Sequence, residues 1–155
     1  MLSTIISARV DIEALLTVIL CVLAFWKGGG PEKAIASTLA GMWLVDQAVH
    51  VVLQLQGATV AIPVGHLVID IAATVAFVWT ALVANRVYPL WIAGLQLIST
   101  LAHLVRMLQP SISQSAVAIL MVSPSYFEIL VFAIGTWCHL RRLKQMGPYR
   151  SWSGS

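Results

Sequence analysis

Residues 64–84 read VGHLVIDIAATVAFVWTALVA, twenty-one positions with a single charge at Asp70. That length matches the roughly 20 residues with which an α-helix crosses a hydrocarbon core of about 30 Å. Working outward, comparable apolar runs occupy 12–26, 34–55, 88–108 and 124–140, separated by glycine, proline and charged residues. Composition agrees: of 155 residues 59% are hydrophobic and only 10% charged, with mean hydropathy +0.90. A soluble domain carries roughly a quarter of its residues as charges. The reading is an all-α integral membrane protein, a compact bundle of five transmembrane helices forming one domain over 1–155, with no room for a soluble domain.

The connections are short. Gly28-Gly29-Gly30-Pro31 ends the first helix, Gln56-Gly57 and Pro63 frame the second turn, and Asn85 to Pro89 make the third. Neighbouring helices are therefore expected to run antiparallel. The first helix has a short uncharged centre, so it is expected to start near Thr4, with Arg9, Asp11 and Glu13 on its outermost turns. It does not read as a signal peptide, because no small-residue cleavage site is followed by a soluble mature domain. Between 109 and 122 lies the short apolar run 116–122, read as an interfacial helix, and Ser123-Pro124 reads as the cap and first residue of the fifth span.

Lys27, Lys33, Arg86, Arg141, Arg142, Lys144 and Arg150 fall on one side of a five-span chain, and only Arg9 and Arg106 on the other. Cytoplasmic loops hold the excess of Lys and Arg. The expectation is a multipass protein of a cell inner membrane, N-terminus periplasmic and C-terminus cytoplasmic. The net charge of +3 then reflects topology and attraction to anionic headgroups; nucleic acid is not an expected partner. The expected partners are the lipid bilayer and other membrane subunits or further copies of this chain. Cys21 and Cys138 lie inside different spans, the first and the fifth, and neither a disulfide nor a cysteine-based zinc motif is expected.

Ionisable residues inside a membrane cost a few kcal/mol each on insertion scales and normally face the bundle interior. Here they are ordered. Asp46, His50 and Gln54 repeat at four-residue spacing, as do His66, Asp70 and Thr74, while Gln96, Ser99, His103 and Arg106 share a third helical face. With about 1.5 Å of rise per residue, His50, Asp70, His103 and Glu128 come to one depth in the outer leaflet. These four are the expected metal ligands, with Asp46, His66 and Arg106 supporting them; no catalytic residue is assigned. Imidazole and carboxylate suit Zn, Cu or Fe, and a carboxylate on the far ring nitrogen of a ligating histidine fixes its orientation. Haem b held by a pair such as His50 and His103 is a further option. The competing reading is a hydrogen-bonded network that only fixes helix register, pairing Asp46 with His50, Asp70 with His66 and Glu128 with Arg106.

The inner half of the bundle reads as apolar, and His139, beside Arg141 and Arg142, as an interfacial residue. Three functional classes remain: a metal-binding or redox protein acting as an oxidoreductase or hydrolase, an accessory or assembly subunit of a larger membrane complex, and a proton or ion conductor. Whether the chain is an enzyme stays open at this stage.

Overall fold

The computed structural model describes residues 2–57, 62–109 and 113–153. Among the described residues the chain is all-helical: α1 Leu2–Lys27, α2 Gly30–Leu55, α3 Ile62–Val83, α4 Tyr88–Leu108 and α5 Gln114–Met146. Three stretches, Gly30–Leu55, Val64–Val83 and Tyr88–Leu108, are long and apolar enough to cross a membrane. Their large apolar side chains point outward: Leu44, Val68, Val75, Leu90 and Leu101 are each about half exposed or more. A water-soluble helix hides that surface, so this distribution belongs to a protein solvated by lipid.

Each helix packs on the next in chain order, and α1 returns to α5 to close the ring. The apolar core lies toward the end that bears Lys27, Lys33 and Arg86. Cys21 and Ala24 of α1, Ile35 and Ala36 of α2, Phe77 of α3, Ile92 of α4 and Phe132 of α5 meet there. Small residues let backbones approach closely where lipid gives no hydrophobic drive. Toward the opposite end the helices leave a cleft between them, and the histidines and carboxylates line it.

Two expectations need correction. The run 116–122 is not a separate interfacial helix; it is the first part of α5, which continues through Pro124, and the cap is Ser113 rather than Ser123. A proline inside a helix has no N–H for the carbonyl four residues earlier, here that of Leu120. Beside the proline, Ser125 Oγ donates to the Val122 carbonyl at 2.8 Å. At 33 residues α5 is about 50 Å long, well beyond the hydrocarbon core.

The second correction concerns the core-rich end, which holds a buried polar network instead of an apolar plug. Glu32 is fully buried and pairs with Arg86, itself 5% exposed. Glu32 Oε2 accepts from the Gly29 backbone N–H (3.0 Å), and Oε1 accepts from the Tyr88 hydroxyl (3.0 Å). Arg86 Nη2 donates to His139 Nδ1 (3.1 Å) and Ser151 Oγ (3.4 Å), and the Tyr149 hydroxyl lies 2.7 Å from the same imidazole nitrogen. Burial pulls the Arg86 guanidinium below its ordinary pKa. His139 is thus a buried member of this network, not an interfacial residue.

The chain after α5 folds back over that end. The Ser153 N–H donates to the Val83 carbonyl (2.9 Å), the Asn85 N–H donates to the Ser151 carbonyl (3.2 Å), and Trp152 packs on Gly30. A side chain at residue 30 would collide with the indole, which is why the turn into α2 carries glycine there.

Candidate metal centre

Helix α2 enters the cleft with Asp46 and His50 one turn apart, so both project from one face. Helix α3 brings His66 beside them. Gly65 decides that pairing: a Cβ at residue 65 would lie 2.8 Å from Val49 Cγ1, so the missing side chain lets α3 close on α2 one position from His66. His66 Nε2 lies 3.0 Å from Asp46 Oδ1, and the His50 and His66 rings stand 5.0 Å apart.

His50 is held by its own turn. Its Nδ1 lies 3.0 Å from the Asp46 backbone carbonyl and 3.5 Å from Asp46 Oδ2. A ring that donates Nδ1–H to that carbonyl turns the lone pair of Nε2 outward, the arrangement that orients a ligating imidazole. One ligand atom from each of Asp46, His50 and His66 lies within 4.8 Å of the other two. Three donors so placed can converge on one ion at about 2.0–2.2 Å with little movement, and the cleft leaves a side open to a further ligand.

Asp70 and His103 form a second group. His103 Nε2 approaches Asp70 Oδ2 at 3.2 Å, as an ion-pair contact without hydrogen-bond alignment. Gln96 Nε2 donates to Asp70 Oδ1 at 3.1 Å, and Thr74 Oγ1 donates to the Asp70 carbonyl at 2.8 Å. The Thr74 and Thr100 hydroxyls lie 2.8 Å apart, tying α3 to α4. Gln96 thus joins this group from the helical face that it shares with His103. The His66 and His103 rings are 6.1 Å apart, so the two groups adjoin along one wall.

Of the four residues read as ligands, His50, Asp70, His103 and Glu128 all line the cleft, but they do not meet at one point. His50 sits with Asp46 and His66, which had been given supporting roles; Asp70 sits with His103. Glu128 is 5% exposed, and its Oε1 has no hydrogen-bond partner among the described residues. Arg106 is exposed on α4 and does not line the cleft. A buried acceptor left without a partner costs roughly 1–3 kcal/mol. Glu128→Leu is therefore expected to raise stability by about that amount in detergent, measured by unfolding in mixed micelles; a loss of stability would mean that the carboxyl is engaged after all.

The Glu32–Arg86–His139 network was not found from the sequence, where Glu32 had only the signature of an acidic residue in a first helical turn. Its one visible signal was being the sole acidic residue on the basic side of the chain. No protein-family model, curated protein or solved structure significantly matches this chain.

Proposed function

We propose that this chain is a five-span inner-membrane protein that binds a divalent transition metal through Asp46, His50 and His66. The observation that carries this reading is the convergence of one oxygen and two imidazole donors within 4.8 Å at the wall of an open cleft. Two histidines with one carboxylate, and a position left for water or substrate, form a donor set used by catalytic zinc and by non-haem iron(II). No thiolate belongs to the group, which weighs against a copper(I) carrier.

Asp70, Gln96, Thr74, Thr100 and His103 take the role of a register-fixing network, because most of their polar groups bond one another, with Asp70 Oδ2 meeting only the ion-pair contact to His103. The network and the metal group then occupy different parts of one wall. Elemental analysis with an optical spectrum, on protein purified in detergent without chelator, tests the assignment. About one zinc or iron per chain and no haem absorption is the expected result; metal-free protein that also fails to take up zinc or iron(II) in titration would reject it.

The orientation is part of this proposal. Basic residues gather at the end formed by the α1–α2 turn, the α3–α4 turn and the tail, so that end is assigned to the cytoplasm and the metal group to the periplasmic half. Reporter fusions after Gln56 and at Ser155 should read opposite sides, periplasmic and cytoplasmic respectively. The same side for both would remove the five-span topology.

A further inference from the structure

The cleft extends well past the metal group. Its volume is about 790 Å³, within the range of small-molecule sites. One end is polar, lined by Glu13, His66, His103 and Glu128. Beyond it the walls are apolar: Val18, Val22 and Phe25 from α1 face Trp43 and Leu44 from α2. These five wall residues are between 47% and 59% exposed, so the trunk of the cleft opens sideways between α1 and α2 onto the surface that lipid covers. From Glu13 to Phe25 along α1 is about 18 Å at helical rise, room for an extended hydrocarbon chain lying along the helix.

The second observation is Glu128. Its side chain is nine-tenths buried or more, lines the polar end, and keeps Oε1 without a donor. Buried polar atoms in native proteins are almost always partnered, and nothing in the Asp46–His50–His66 group reaches this one. We propose that the cleft takes one single-chain amphiphile from the surrounding lipid, its chain between α1 and α2 and a hydroxyl-bearing head donating to Glu128. A hydroxyl both donates and accepts, so it satisfies Glu128 and also accepts from a neighbouring imidazole N–H. An ether cannot donate to the carboxyl, an ammonium cannot accept from the ring, and a carboxylate head would meet Glu13, Asp70 and Glu128 as like charges. The inference goes beyond metal binding and does not depend on it, since Glu128 stands outside the metal group.

The test uses the full chain in phosphatidylcholine nanodiscs, treated with chelator so that metal occupancy does not enter the result. The probe is hexadecanol carrying a mid-chain diazirine, with labelled residues located by peptide mass spectrometry. Saturable labelling at Val18, Val22 or Trp43, displaced by unlabelled hexadecanol, is expected, with hexadecyl methyl ether and hexadecylamine competing about 10-fold less well, the worth of one buried hydrogen bond. Glu128→Leu should weaken labelling by a similar factor. Ala40→Trp, which fills the trunk from α2, should abolish it while thermal stability stays near wild type; this variant decides the matter even if Glu128→Leu folds poorly. Labelling that does not saturate, that falls equally on the lipid-facing Val75 and Leu101, or that is displaced equally well by the methyl ether would overturn the proposal.

Discussion

Arg86→Ala is expected to cost about 3–5 kcal/mol of stability, the usual consequence of stranding one partner of a buried ion pair. Glu32 has no exposed surface, and the arginine is its only cationic partner among the described residues. The same substitution also takes the Nη2 donor from His139 and Ser151, so the folded-back tail should loosen with it. Unfolding in mixed micelles measures the cost, and trypsin cleavage at Arg150, which is exposed, reports the tail. The double substitution Glu32→Gln with Arg86→Leu should lose less than Arg86→Ala alone, because no unpaired charge is left behind. A loss under about 1 kcal/mol for Arg86→Ala, the ordinary worth of an exposed pair, would contradict this view of the network.

The second large effect concerns the metal group. His66→Ala and His50→Ala each remove one of the three proposed ligands, so metal affinity should fall by more than the roughly 10–100-fold that loss of an outer-shell partner costs. His103→Ala touches the Asp70 network instead and is expected to leave metal stoichiometry unchanged while lowering stability, since it removes the basic partner of a mostly buried carboxylate. Zinc or cobalt(II) titration of the three variants checks the contrast. Equal loss of metal in His103→Ala would shift the centre toward Asp70.

The fold was legible in the sequence to the extent that it follows from burial in lipid. Apolar runs bounded by Gly, Pro and charges gave helices whose limits the structure moves by a few residues, α1 included, which starts at Leu2 against the expected Thr4; α5 is the exception. The fifth helix was misread because Pro124 after Ser123 has the form of a helix start, whereas the helix begins ten residues earlier, at Gln114, and runs through the proline. Helical spacing also put the right faces inward: Asp46 with His50, His66 with Asp70, Gln96 with His103.

Which face meets which was not legible, because it depends on the register between helices. The pairing of Asp46 with His66 rather than His66 with Asp70 follows from the close approach of Val49 to Gly65, a packing detail with no periodic signal. Likewise, the backbone carbonyl that orients His50 is its own Asp46, four residues earlier, whereas spacing suggested the carboxylate. Glu32, Arg86, His139 and Tyr149 come from four separate stretches of the chain. Helix packing brings the first three together and the folded-back tail adds Tyr149, and neither interhelical register nor a tail carries a hydropathy pattern from which such contacts can be read.

X-ray absorption at the edge of the bound metal tests the central assignment most directly. The account predicts a first shell of only nitrogen and oxygen at about 2.0–2.2 Å. Two imidazoles should be present in the wild type, one in His66→Ala, and both in His103→Ala. Sulfur in the first shell, or a spectrum that His66→Ala leaves unchanged, would contradict it.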